Sequence, residues 1–215
     1  DFTIDWYNAL MFGNGITTPI RTDLNGGAGV DLTGVSAANW YKEQSEGVYN
    51  LEGDIYPDWI QLDHSVAYYG WDGDEEDPDG RGVPCNGTPS GYGFEFVIDI
   101  ADQLNTQDPS FDWSQYDVAG PGDEGPPDGI VDHLMVIHAG VDNSAGGGTY
   151  GNYQLWAHSW DVFCDKGDGQ GLTPGCLVQG GDTPETTDDI YIANYTHIPE
   201  DADIGVVVHE YGHDI

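Results

Sequence analysis

Short apolar-patterned stretches alternate along the chain with long tracts of Gly, Asp and Pro, and the patterned stretches predict its elements. Phe2 to Leu10 reads as a short helix or strand that runs into a glycine turn at Met11-Phe-Gly-Asn-Gly. Ser36 to Glu46 predicts a helix, with Ser36 as cap, good helix formers behind it and Gly47 as the stop. Val48 to Tyr69 contains Val-Tyr-Asn-Leu-Glu-Gly-Asp-Ile-Tyr and Trp59-Ile-Gln-Leu, a pattern that predicts two strands of a hairpin or meander. Phe94 to Leu104 predicts an amphipathic helix that backs a sheet. Ile130 to Gly140 predicts a strand buried on both faces, as in a parallel or mixed sheet. Leu155 to Trp160 and Ile190 to Thr196 predict further strands.

The closing stretch, 201–215, contains Ile204-Gly-Val-Val-Val-His209-Glu210-Tyr-Gly-His213-Asp-Ile215 and predicts a helix. Asp201 or a neighbour caps it, Asp203 sits in the first turn, and Ile204, Val208, Tyr211 and Ile215 form its buried stripe. Gly212 costs such a helix about 1 kcal/mol against alanine. Its presence predicts that another segment or a ligand passes close to the backbone there.

Helices and strands in this mixture give an α/β (α+β) class: a mixed twisted sheet with a backing helix and long Gly/Asp-rich loops, in one domain over 1–215. Seven Trp and thirteen Tyr argue for a folded globule despite the polarity. The formal net charge of -35 repels nucleic acid and anionic membranes and attracts divalent cations. No stretch approaches the roughly 18 continuous apolar residues of a membrane span. The opening Asp1-Phe-Thr-Ile, without an initiator Met, predicts a processed or trimmed protein whose targeting segment is already gone. Of the three cysteines, Cys164 and Cys176 bracket the Asp165 to Gly175 loop and are the natural disulfide pair, which leaves Cys85 over.

Candidate chemistry concentrates in the closing helix. His209 and His213 are one turn apart, so both imidazoles leave the same face and can share one zinc ion. Glu210 beside them can take a proton from water at that metal, the arrangement of a zinc hydrolase. With seven histidines and ten glutamates in 215 residues, chance gives this pattern in about one such chain in a hundred. The other histidines read differently. His64 reads as a surface residue, and His138 and His158 read as hydrogen-bonded structural residues.

Two acidic loops are calcium candidates. Asp117-Val-Ala-Gly-Pro-Gly-Asp123-Glu124-Gly-Pro-Pro-Asp128-Gly-Ile-Val-Asp132 resembles the second half of a calcium loop, with a glycine for the sharp turn between carboxylates. It departs from the EF-hand rule, and an acidic turn is the competing reading. Asp72, Asp74, Asp77 and Asp79 form a weaker candidate set, equally well read as a charged loop.

Several blocks in order, namely Tyr41-Lys-Glu-Gln-Ser, Asp128-Gly-Ile-Val-Asp-His-Leu-Met-Val-Ile-His-Ala-Gly, Ala145-Gly-Gly-Gly, Trp156-Ala-His-Ser-Trp, Asn194-Tyr-Thr and Pro199-Glu-Asp through His209-Glu-Tyr-Gly-His-Asp, resemble the immune inhibitor A family of secreted bacterial metallopeptidases. The resemblance implies a zinc-dependent endopeptidase of metzincin-like architecture, exported as a pro-enzyme with bound calcium. His209 and His213 would ligate zinc, with Glu210 as general base. Its partners would be protein or peptide substrates, its own pro-segment or a remaining chain fragment. In that family the motif runs on through a glycine turn to a third zinc ligand, so the resemblance predicts an incomplete catalytic domain whose third ligand follows Ile215. A calcium-stabilised binding or structural module without a full zinc site is the alternative, because two histidines alone hold zinc weakly.

Overall fold

A computed structural model describes residues 3–13, 34–70, 93–118, 126–146, 148–165, 172–180 and 189–215. Asp72, Asp74, Asp77, Asp79, Cys85, Asp123 and Glu124 lie outside the described residues.

The first element is a helix, α1 (Ile4–Phe12), which resolves the helix-or-strand ambiguity. The Thr3 side chain accepts from Trp6 N–H at its start. At its end Gly13 adopts φ +66°, a left-handed conformation that a side chain resists. Helix α2 (Ala37–Gln44) begins at the predicted Ser36 cap, whose hydroxyl accepts from Asn39 N–H. Helix α3 (Val66–Tyr69) and the longer α4 (Gly93–Gln107) follow. The strands are β1 (Met135–His138), β2 (His158–Asp161), β3 (Phe163–Asp165), β4 (Leu172–Pro174), β5 (Cys176–Gln179), β6 (Ile190–Ile192) and β7 (Asn194–Pro199). Helix α5 (Ile204–Tyr211) closes the chain.

The predicted strands between Val48 and Tyr69 do not form. Residues 48–65 run without strand pairing, and Val66–Tyr69 is a single helical turn. The β-favouring residues here pack singly: Leu51, Tyr56, Ile60 and Leu62 touch the core, while Val48 and Trp59 face solvent. Without a partner strand, side-chain preference does not make a ladder.

A mixed sheet in the order β1-β7-β2 organises the molecule. β7 pairs in parallel with β1, Met135 against Thr196 through His138 against Pro199. It pairs antiparallel with β2, His158 against His197 through Asp161 against Asn194. Because β7 is central, its residues from Tyr195 to Pro199 are all buried. Its alternation splits the core. Tyr195 packs on one face with Phe94, Phe96, Val97 and Leu104 of α4, and Ile198 packs on the other with α1, α2 and α5. The sheet therefore lies between α4, its predicted backing helix, and the layer that contains α5.

Two small antiparallel pairs, β3 with β4 and β5 with β6, extend the first core. Cys164 and Cys176 are joined as expected, with Cα atoms 5.2 Å apart and a sequence separation of 12. Closing a loop of this length stabilises the fold by about 3 kcal/mol through the unfolded chain.

Candidate metal centre

Helix α5 starts with a cap different in detail from the expected one. Asp203 is itself the N-cap, and its carboxylate accepts from Val206 N–H at 3.1 Å. The buried stripe is also shifted: Val207 and Tyr211 are buried, Ile204 and Val208 are half-buried, and Ile215 is exposed. Val207 and Tyr211 are four apart, so they take the core side while 209 and 213 take the opposite, open side.

On that open side the imidazoles meet. His209 Nε2 and His213 Nε2 are 3.4 Å apart, and a Glu210 carboxylate oxygen falls within 4.8 Å of both ligand atoms. Two nitrogens bound to one tetrahedral zinc at the usual 2.0–2.1 Å stand about 3.3 Å apart. The separation of the donor pair matches that spacing. Among the described residues no other group of three His, Cys, Asp or Glu side chains gathers so closely.

The last turn of α5 is clamped by tyrosines from α2 and the segment after it. Tyr41 Oη–H donates to the Val208 carbonyl at 2.6 Å, and Gly212 N–H donates to the same oxygen at 3.2 Å. A Cβ at Gly212 would meet Val208 O at 2.9 Å and Tyr41 Oη at 3.1 Å, which is the close passage that the glycine predicted. Tyr49 and Tyr211 share a hydroxyl hydrogen bond of 2.8 Å. Burial, and then the neighbouring Tyr49, push the Tyr41 phenol up to about 12, so it stays protonated and remains a donor. Beyond Gly212 the chain tightens into i→i+3 bonds, His213 N–H to Glu210 O and Asp214 N–H to Tyr211 O. Asp214 Oδ2 then lies 3.0 Å from His133 Nδ1, which ties this turn to the approach to β1.

Glu210 is half-buried, and desolvation raises its carboxyl above the ordinary range. His209 and His213 oppose that rise, while Asp142 adds to it.

A second histidine group lies inside the fold. His138, His158 and His197 project from β1, β2 and β7 on the α4 side of the sheet. His138 Nδ1 is 2.8 Å from His197 Nε2, His197 Nδ1 is 3.3 Å from Trp156 O, and His158 bridges Trp156 O and the Tyr195 hydroxyl. A carbonyl only accepts, so His158 and His197 carry their hydrogens on Nδ1. His197 Nε2 then accepts from His138 Nδ1–H. The structural reading of His138 and His158 holds in this geometry, and His197 joins them although its strand pattern alone gave no chemical signal. Burial lowers the basicity of all three, with His138 brought down to about 4.

The described calcium candidates are used locally. Asp117 is buried and its two oxygens accept from Asp128 N–H at 2.9 Å and Gly129 N–H at 2.8 Å. Asp132 accepts from Val118 N–H, and Asp128 accepts from Ile130 N–H. Asp117 and Asp132 fasten the two ends of the loop, Asp128 makes a local turn bond, and the three do not converge as a three-ligand group.

Comparison with known proteins agrees with the geometry. Residues 1–215 match the family model described as immune inhibitor A peptidase M6, catalytic domain. The chain is 32% identical over 215 residues to immune inhibitor A of Bacillus thuringiensis subsp. alesti, covering all of this chain and 28% of that protein. It is 30% identical over 192 residues to the pre-pro-metalloprotease PrtV of Vibrio cholerae serotype O1 (strain M66-2), covering 84% of this chain and 18% of that one. The chain thus spans less than a third of the length of these relatives.

Proposed function

Because the chain belongs to the immune inhibitor A peptidase M6 family, we propose that it forms the catalytic core of a zinc-dependent endopeptidase, with His209 and His213 as zinc ligands and Glu210 as general base. The observation that carries the reading is the 3.4 Å separation of the two Nε2 atoms beside the Glu210 carboxylate. Zinc, when bound, supplies Lewis acidity towards the scissile carbonyl and towards water. Glu210 takes the proton of the attacking water and delivers it to the leaving amine. The tyrosine clamp on Val208 O holds the turn between the two ligands, so the imidazoles are arranged before metal arrives.

A further protein ligand is required for a tight site. The mixed sheet packed on the α5 layer supports a metzincin-like reading of the architecture. Protein substrates follow from the family. Export is part of the proposal, supported by the disulfide and by a relative whose name contains "pre-pro". Among the described residues no helix is long and apolar enough to cross a membrane. Calcium remains part of the proposal for the Asp117 to Asp132 loop, supported by the anchoring of that loop through Asp117 and Asp132 and by the charge of -35. Asp123 and Glu124 would be the acids left to bind it.

Metal content with hydrolysis tests the zinc assignment. His209→Ala and His213→Ala should each lose zinc and caseinolysis together. Retention of stoichiometric zinc in both variants would overturn it, and a wild type that holds calcium only and hydrolyses nothing would favour the calcium-stabilised module.

A further inference from the structure

The two histidines of the metal pair are not held alike. His209 lies inside α5, whereas His213 lies past Tyr211, the last residue of the regular helix. Helix ends fray, so the placement of the second imidazole depends on what fixes the turn after Gly212. The turn's own i→i+3 bonds, from His213 N–H and Asp214 N–H, have poorer geometry than α-helical ones. The residue next to His213 is also fixed from outside. The Asp214 side chain is 1% exposed, its Oδ2 lies 3.0 Å from His133 Nδ1, and its Oδ1 meets no hydrogen-bond donor among the described residues. A carboxylate only accepts, so His133 carries its hydrogen on Nδ1 and donates. An exposed pair of this kind contributes little. Here the acid end is out of water, and removing its one donor leaves a buried carboxylate unpaired, which is costly.

His133 is itself braced. Its ring packs against Tyr211 with centroids 5.2 Å apart and planes at 63°. Both of its chain neighbours are anchored. Asp132 N–H donates to Tyr116 O at 2.9 Å, Asp132 Oδ2 accepts from Val118 N–H at 2.7 Å, and Leu134 O accepts from Thr196 N–H of β7 at 2.8 Å. The imidazole is therefore a fixed peg beside the sheet, against which the end of α5 is set. We propose that His133 is a positioning residue for the metal centre: by holding the Asp214 carboxylate it fixes the turn that carries His213, and so sets the second zinc ligand beside the first. The proposal rests on the zinc reading of His209 and His213. His133 acts through Asp214 and takes no part in bond making.

The test uses three variants of the full-length protein, with zinc affinity read by competition with a chelator and urea unfolding of the metal-free chains read beside it. His133→Phe keeps a ring against Tyr211 and loses the donor. His133→Asn keeps an N–H donor at the place of Nδ1, and His133→Gln moves its donor one carbon further out. His133→Phe and His133→Gln should weaken zinc binding by about tenfold to a hundredfold, the range for groups that orient a metal ligand. His133→Asn should recover most of the wild-type affinity. Cobalt(II) bound in place of zinc should show visible bands that match the wild type in His133→Asn and shift in the other two. If His133→Phe unfolds, the Asn and Gln variants carry the comparison. Wild-type zinc affinity in His133→Gln, or losses of affinity that merely track losses of metal-free stability across the variants, overturns the positioning role and leaves the zinc reading intact. A wild type that binds no zinc overturns both.

Discussion

Acidification should unfold this protein from within, through His138, His158 and His197. In the unfolded chain each imidazole titrates near the ordinary value of about 6.5. In the folded state burial holds His138 down to about 4 and lowers His158 and His197 as well. Between those values the unfolded state binds more protons, so stability falls as pH falls. The loss begins as pH drops through about 6.5 and levels off only near the folded values. For His138 alone, moving from about pH 7.5 to about pH 5 costs roughly 2 kcal/mol at 1.36 kcal/mol per pH unit. The other two push in the same direction. An extra proton on His197 Nε2 would meet the His138 Nδ1–H across 2.8 Å, donor against donor. Ordinary carboxylates titrate near 4, so most of the window above about pH 5 belongs to histidine. Urea unfolding of a His209→Gln, His213→Gln chain removes the metal pair from the comparison. Stability should drop by about 2 kcal/mol or more between the two pH values. A change below about 0.5 kcal/mol, or an NMR titration of the His138 ring near 6.5, would refute the buried neutral cluster.

Three further outcomes follow from the same geometry. Tyr41→Phe removes the hydroxyl bond to Val208 O, which keeps Gly212 N–H as donor. It should cost about 1 kcal/mol in urea unfolding and weaken zinc binding measurably by competition with a chelator, and unchanged zinc affinity would count against the clamp. Gly212→Ala should destabilise the wild type, because the added carbon meets Val208 O at 2.9 Å and Tyr41 Oη at 3.1 Å. In the Tyr41→Phe background it should cost less, and strictly additive costs would contradict the contact. Removing calcium from the complete protein should lower its melting temperature by leaving the 117–132 carboxylates unscreened, whereas an unchanged melting temperature with calcium shown to be gone would speak against a site there.

The elements that form were legible where pattern and long-range partner agreed. Ser36 and Gly47 frame α2, and the apolar run after Ile130 becomes the parallel β1. The stretch from Val48 to Tyr69 misled because its β-branched and aromatic residues met no strand, a fact of tertiary pairing that local pattern does not contain. The meeting of the His209 and His213 imidazoles was legible because its spacing is local to one helix. Its surroundings were not. Tyr41 is 167 positions from Val208, whose carbonyl it holds, and nothing in its own segment points to α5. His197 was hidden for a related reason: its two imidazole neighbours come from other strands, and only the β1-β7-β2 order brings them together. Gly212 was the one local sign of these contacts, since a glycine inside a helix marks a close neighbour without naming it.

The central claim is that Glu210 does the proton transfer at a zinc ion held by His209 and His213. Glu210→Gln in the full-length protein separates the two roles. The account predicts one zinc per chain, as in the wild type, with caseinolysis reduced by about a thousandfold, within the range for loss of a general base. Undiminished hydrolysis with zinc bound would contradict it.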